Sequence, residues 1–264
     1  MKARYAVIGN PVAHSKSPWI HAEFARATGQ DIDYGRIEAP PGGFAAAADA
    51  FRAAGGQGLN VTLPFKQDAY RYCAQVAPRA AAAQAVNTVV FGEPVKGDNT
   101  DGVGLIRDIE GNLGLALAKK RILLLGAGGA AQGVLGAMLD AHVASLVIAN
   151  RTPARAEALA ARFAGVSALP YAGLKNDFDV VINATSAGLS DAPLPLPRGV
   201  LAPGVLAYEM VYGRDTPFLA AAREAGARTS NGLGMLVEQA AESFFIWRGV
   251  RPETRAVLTR LRAA

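Results

Sequence analysis

The stretch Arg121-Ile122-Leu123-Leu124-Leu125-Gly126-Ala127-Gly128-Gly129-Ala130-Ala131 runs a continuous apolar strand into a glycine-rich turn and the start of a helix. It fits G-x-G-x-x-A, the variant dinucleotide fingerprint. The first glycine permits the tight turn, the second lets backbone approach a pyrophosphate, and the small third position lets helix and strand pack closely. Unpaired N–H groups and the positive dipole end at the helix start suit a diphosphate. The next strand, Ser145 to Ala149, ends in Asn150-Arg151-Thr152, with Arg155 just behind. NAD binders usually carry an acidic residue about 20 residues after the motif, for the ribose 2′-hydroxyl. Arg151 and Arg155 instead suit a 2′-phosphate, through charge-assisted and bidentate bonds. The expected cofactor is NADP.

Outward from this stretch, short apolar runs alternate with alanine-rich helical segments. On the N-terminal side, strands are expected over Arg4 to Gly9, Ile32 to Glu38, Gly58 to Leu63 and Asn87 to Phe91. Helices are expected from about Pro18 to Thr28 and from about Gly43 to Ala53. On the C-terminal side, a helix to about Leu139 follows the glycine turn, and Phe178 to Asn183 and Val205 to Val211 extend the second sheet. The proline-rich segment Pro193-Leu194-Pro195-Leu196-Pro197 reads as a loop. From about Gly232 the pattern is helical, and periodicity does not say which half owns it. The alternation implies βα units and mostly parallel sheets, in two α/β halves with a boundary near residue 100.

Composition narrows the class. The chain has 264 residues, of which 51% are hydrophobic and 19% charged, and a single cysteine. Cys73 has no partner, which excludes a disulfide scaffold. High apolar content with modest charge excludes disorder. No apolar run reaches the roughly 18 residues needed to span a bilayer, and the N-terminal apolar segment is too short for a signal peptide. A cytoplasmic globular protein is expected. The net charge of +5 comes from scattered arginines, with no basic tail or nucleic-acid motif. His14, His21 and His142 form no ligand set with Cys73, so no metal is expected.

Polar residues collect where the first four strands stop. Ser15-Lys16-Ser17-Pro18 lies in a loop before a helix, and Asn60-Val61-Thr62-Leu63-Pro64-Phe65-Lys66 closes the third strand with Asn60 and Thr62 on one face. Asn87-Thr88 opens another strand, and Gly97-Asp98-Asn99-Thr100-Asp101-Gly102 lies at the junction of the halves. Singly, each is ordinary: the serines and Asp101 as helix caps, Asn60 as a turn residue, Lys66 as a surface lysine. Jointly, at carboxyl ends of strands, hydroxyls, carboxamides, one Lys and one Asp suit a small polyhydroxylated acid.

These segments, together with Gly9-Asn10-Pro11, His14, Gly126 to Ala130, Asn150-Arg151-Thr152 and Asn231-Gly232-Leu233-Gly234-Met235, resemble the shikimate dehydrogenase family in order and spacing over nearly the whole chain. The resemblance implies reversible NADP-dependent reduction of 3-dehydroshikimate to shikimate, within aromatic amino-acid biosynthesis. It implies a substrate domain over residues 1–101, a Rossmann-like NADP domain over 102–234, and C-terminal helices over 235–264 returning to the first, with the active site in the cleft between the domains. Lys66 and Asp101 would be the catalytic pair. Ser15, Ser17, Asn60, Thr62, Asn87, Tyr212 and Gln239 would line the shikimate site. Gly126, Ala127, Gly128, Gly129, Ala130, Asn150, Arg151, Thr152 and Arg155 would hold NADP, with Thr185, Ser186, Ala187, Met210 and Gly232 near its nicotinamide.

Two departures stand out: Glu209 replaces the family's usual Asp, and Asn231 replaces another. Neither removes the pattern. The implied partners are the small-molecule substrate and the cofactor, with neither nucleic acid nor membrane, for a monomer or homodimer. Two rivals remain: a relaxed quinate/shikimate dehydrogenase using NAD or NADP, and a non-catalytic NADP-sensing regulator on the same fold.

Overall fold

The computed structural model describes residues 2–189 and 192–263. It divides into two compact units, Met1–Gly104 with Leu236–Ala264, and Leu105–Met235.

The first unit begins with β1 (Ala3–Gly9), α1 (Ser17–Thr28), β2 (Ile32–Glu38), α2 (Phe44–Ala53) and β3 (Gly56–Val61). It continues with α3 (Lys66–Tyr72), β4 (Gln75–Val76), α4 (Pro78–Ala83), β5 (Thr88–Val90), β6 (Lys96–Asp98) and α5 (Asp101–Arg107), which leads into the second unit. Its sheet has the order β2-β1-β3-β5-β6-β4. The β1–β2, β1–β3 and β4–β6 ladders are parallel, while β3–β5 and β5–β6 are antiparallel. The short link between β5 and β6 explains why that pair is antiparallel, since a parallel pair needs a crossover of a dozen residues or more. Ala6, Ile8, Leu59, Val61 and Val89 of the sheet share a core with Phe44, Phe65, Ala69 and Ala80 of the helical segments.

The second unit adds β7 (Arg121–Leu125), α6 (Gly129–Asp140), β8 (Ser145–Ala149), α7 (Pro153–Ala160), β9 (Val166–Ala168) and β10 (Val180–Asn183). After these come β11 (Leu206–Glu209), α8 (Pro217–Glu224) and β12 (Arg228–Asn231). The strand order is β12-β11-β10-β7-β8-β9, and every ladder is parallel. Such a sheet is covered on both faces, which is why its strands read as unbroken apolar runs. Ile122, Leu124, Ile148 and Ile182 pack with Val134, Leu135 and Met138 of α6, while Leu123, Leu125 and Val181 pack with Phe218 and Leu219 of α8. Helix α9 (Leu233–Arg248) returns the chain to the first unit, where α10 (Arg255–Ala263) ends it.

The expected strands and helices are all present, with ends displaced by a few residues. The strands β4, β6, β9 and β12 carry no sequence signal. Two or three residues give no periodicity, and β12, Arg228-Thr229-Ser230-Asn231, is a polar edge strand of the kind that resists unwanted pairing. The segment 193–197 is free of regular structure, as its prolines require. No helix among the described residues is long and apolar enough to cross a membrane.

Candidate active site

In the first unit, α3 starts at Lys66 and α5 starts at Asp101, which brings two residues far apart in sequence together. Lys66 Nζ lies 2.5 Å from Asp101 Oδ2, with side-chain exposures of 19% and 8%. Asp101 Oδ1 accepts from Asn87 Nδ2 at 2.8 Å, and Asn87 Oδ1 accepts the Thr100 backbone N–H at 2.8 Å. The Asp101 backbone N–H in turn donates to Asn99 Oδ1 at 3.1 Å. The loop that presents Asp101 is thus tied at successive residues. Gln239 of α9 joins the cluster, its Oε1 accepting from Asn87 Nδ2 and Thr100 Oγ1 at 3.4 Å each.

The two serines form a second group. Ser15 and Ser17 are buried, their hydroxyls are 3.2 Å apart, and the Ser17 N–H donates to Ser15 Oγ at 3.3 Å. Arg36 of β2 donates to the Ser15 carbonyl at 2.6 Å and so brings a positive charge beside them. Thr62 sits one residue beyond β3, half-buried.

Asn60, like Asn87, has protein partners at both ends of its amide. Its Oδ1 accepts from Tyr34 Oη at 2.7 Å and from His21 Nε2 at 3.2 Å. Its Nδ2 donates to Ser243 Oγ at 2.9 Å and to the Asn87 carbonyl at 3.2 Å. These bonds fix the orientation of the Asn60 amide. His21 lies parallel to Tyr34, with ring centroids 4.2 Å apart. Complete burial pushes its pKa down to about 3, against the opposing pull of the Asn60 bond. The ring is therefore neutral, with its proton on Nε2 and a buried, unpartnered Nδ1. Burial likewise raises the Tyr34 phenol well above its ordinary range, while Ser17 and Arg36 pull the other way.

Sequence reasoning did not find His21, Tyr34, Arg36 or Ser243. Two of them carried a signal. His21 lies four residues after Ser17 on α1, and Ser243 four after Gln239 on α9, so each shares a helix face with a predicted site residue.

In the second unit, Gly126 adopts φ +109°, a conformation that side chains resist, and a Cβ there would lie 3.0 Å from the Ala184 carbonyl oxygen. Among the described residues no side chain caps the start of α6, and the space beside Gly128 and Gly129 is open. The free N–H groups of a twelve-residue helix are thus available to an anion. At the end of β8, Asn150 Nδ2 donates to the Thr152 carbonyl at 2.9 Å, which shapes the turn carrying the exposed Arg151 and leading to the exposed Arg155. These residues fit a dinucleotide with a 2′-phosphate, since β8 is followed by Asn150-Arg151-Thr152 and not by a carboxylate.

Thr185, Ser186 and Ala187 follow β10, and Met210 and Tyr212 follow β11. A Cβ at Gly232 would lie 2.1 Å from the Met210 carbonyl oxygen, so the backbone after β12 approaches that after β11 as only glycine allows. Asn231 Oδ1 accepts the Leu233 N–H at 3.1 Å and caps α9, a task its amide performs as a carboxylate would. Glu209 is fully buried.

Comparison with known proteins follows the same lines. Family models match three stretches: a shikimate dehydrogenase substrate binding domain over residues 7–89, a shikimate/quinate 5-dehydrogenase over 109–190, and a shikimate 5′-dehydrogenase C-terminal domain over 232–262. The chain is 57% identical to the shikimate dehydrogenase (NADP(+)) of Methylobacillus flagellatus, over 99% of each chain. The solved structure of an Ael1 enzyme from Pseudomonas putida is 49% identical with a TM-score of 0.94, covering 98% of each chain. That of shikimate 5-dehydrogenase from Thermus thermophilus, in complex with NADP(H) and shikimate, is 35% identical with a TM-score of 0.90, covering 99% of each chain.

Proposed function

The chain belongs to the shikimate dehydrogenase family, and from that premise we propose that Lys66 and Asp101 carry the proton in its reaction. The protein is an NADP-dependent oxidoreductase that interconverts 3-dehydroshikimate and shikimate. NADPH, when bound, supplies the hydride that reduces the C3 carbonyl. Gly126 to Ala130 would hold its pyrophosphate, and Asn150, Arg151, Thr152 and Arg155 its 2′-phosphate end. Thr185, Ser186, Ala187, Met210 and Gly232 would border the nicotinamide.

The observation that carries the assignment is the 2.5 Å Lys66–Asp101 pair, with the other Asp101 oxygen already committed to Asn87. Lys66 Nζ holds a proton for the developing C3 oxygen, and its positive charge stabilises that oxygen before the proton moves. The pair is largely shielded from water, so this charge acts through a weaker dielectric than at the surface. Asp101 orients the ammonium and accepts from a ring hydroxyl. Ser15 and Ser17 hold the substrate carboxylate, assisted by the nearby charge of Arg36, while Asn60, Thr62, Asn87 and Gln239 fix the ring. Tyr212 would complete the substrate site. Neither the quinate-tolerant nor the silent-regulator reading is favoured by the relatives.

Lys66→Ala tests the assignment. We expect kcat to fall about 10²- to 10⁴-fold with a much smaller change in KM for shikimate, followed by NADPH absorbance. Near-normal kcat would remove Lys66 from the chemistry.

A further inference from the structure

Glu209 closes β11 with its side chain fully buried, and all its hydrogen-bond partners among the described residues are neutral. Its Oε1 accepts the Val211 N–H at 3.1 Å. Its Oε2 accepts from Thr216 Oγ1 at 3.1 Å and from Asn183 Nδ2 at 2.7 Å. Thr216 caps α8 by accepting the Leu219 N–H at 3.3 Å. One carboxylate thus pins both ends of the loop between β11 and α8, which carries Met210 and Tyr212. Asn183 extends the chain of bonds to the neighbouring strand end. Its Oδ1 accepts from Thr185 Oγ1 at 2.7 Å and from the Thr185 N–H at 3.1 Å, and Thr185 Oγ1 accepts the Ala187 N–H at 3.2 Å.

A buried carboxylate with no cation is expensive to keep, and burial raises its pKa above the usual carboxylate range. A hydroxyl or amide could cap a single N–H. Only a group with two acceptor oxygens can take all three donors at once. The glycine-rich turn packs against the same place, since a Cβ at Gly126 would lie 3.2 Å from Thr185 Cγ2.

We propose that Glu209 is a positioning residue for the cofactor: it sets the spacing between the loops after β10 and β11, and thereby the width of the slot that takes the nicotinamide ring. The proposal rests on the assignment of Thr185 to Ala187 and Met210 to the nicotinamide end. Among the described residues, no hydrogen bond of Glu209 reaches the adenosine end at Gly126 to Ala130 and Asn150 to Arg155. Glu209→Gln exchanges one acceptor oxygen for an NH₂ group that faces donors, so the three bonds cannot all survive.

The test is calorimetric titration of the full chain, without substrate, with NADP⁺ and with adenosine 2′,5′-bisphosphate, which lacks the nicotinamide half. In Glu209→Gln we expect NADP⁺ to bind about 10-fold more weakly, the loss of about one strong hydrogen bond. Adenosine 2′,5′-bisphosphate should stay within about 2-fold of wild type. Unchanged NADP⁺ affinity would overturn the proposal, and so would equal weakening of both ligands, which marks a fault of the whole unit. Thr216→Val, which keeps the side-chain shape and removes one donor, should weaken NADP⁺ several-fold in the same selective way if Glu209→Gln does not fold. Met210→Ala separates the two layers of the argument. If it leaves NADP⁺ affinity unchanged, the nicotinamide assignment falls and the proposal with it. If Met210→Ala weakens NADP⁺ and Glu209→Gln does not, only the proposal falls.

Discussion

One face of the first sheet is lined with polar and aromatic side chains; the central strands of the second sheet are apolar on both faces. Against the first sheet lie Asn60, Asn87, Thr88, Thr100, Asp101 and Ser243, all buried and joined by hydrogen bonds. Tyr5 stacks on Trp247 and His21 on Tyr34 beside them. In the second unit β7, β8 and β10 are filled mostly by Leu, Ile and Val, and the candidate ligand contacts come after the strands stop, at Gly126, Arg151, Thr185 and Met210. The difference follows from what each unit has to hold. A small acid with several hydroxyls demands many directional side-chain groups. A dinucleotide demands backbone N–H groups, room for close approach, and one cationic edge. The first unit should therefore be sensitive to side-chain chemistry, and the second to backbone space.

The strongest test of that contrast lies in the second unit. Gly232→Ala adds only a methyl group, but directly onto the Met210 carbonyl oxygen. We expect a loss of about 3 kcal/mol or more, the upper range for overpacking, read from urea unfolding. A loss below about 1 kcal/mol would show that the strand ends can separate, and would weaken the backbone-space reading.

His21→Gln probes the first unit. Unfolded histidine takes a proton below about pH 6.5, whereas buried His21 resists it until about pH 3. Its contribution is complete above 6.5 and drains away as pH falls towards 3, so wild type should lose about 2 kcal/mol from this group between pH 8 and 5. Glutamine can keep the bond to Asn60 without titrating, so the variant should show a shallower acid slope in the same unfolding experiment. Parallel slopes would place the acid sensitivity elsewhere.

A smaller effect is expected at the cationic edge. Arg151→Ala should lower kcat/KM for NADPH about 10-fold, and leave the value for NADH nearly unchanged, since an exposed arginine makes a strong bond only to a phosphate. Equal losses with both cofactors would assign Arg151 to the fold instead.

How much was legible beforehand follows the same division. The strand–turn–helix at Arg121–Ala131 was readable because each of its requirements is local: an apolar run, a glycine at φ +109°, and small residues at the helix start. The strands β7 and β8 were placed to the residue for the same reason. Polar positions such as Ser15, Lys66 and Asn87 were visible as residues at strand ends. The reversal at β5 and β6, and the polar edge strand β12, left no periodic trace. Asn60 was visible as a carboxamide near a strand end, but the bonds that orient its amide come from Tyr34, His21 and Ser243 on three other elements, and no spacing around residue 60 encodes them.

By itself, then, the sequence determined the alternation of strands and helices, the nucleotide turn, the cationic preference after β8, and the inventory of polar groups. All are set by neighbours within a few residues. Tertiary structure alone decided which of those groups meet: Lys66 with Asp101 across 35 positions, Asn60 with Ser243 across 183, and Glu209 with Asn183 across 26. Hydrogen bonds are short and directional, so whether a carboxylate orients an ammonium or ties two loops together depends on ångström distances that only the packed chain supplies.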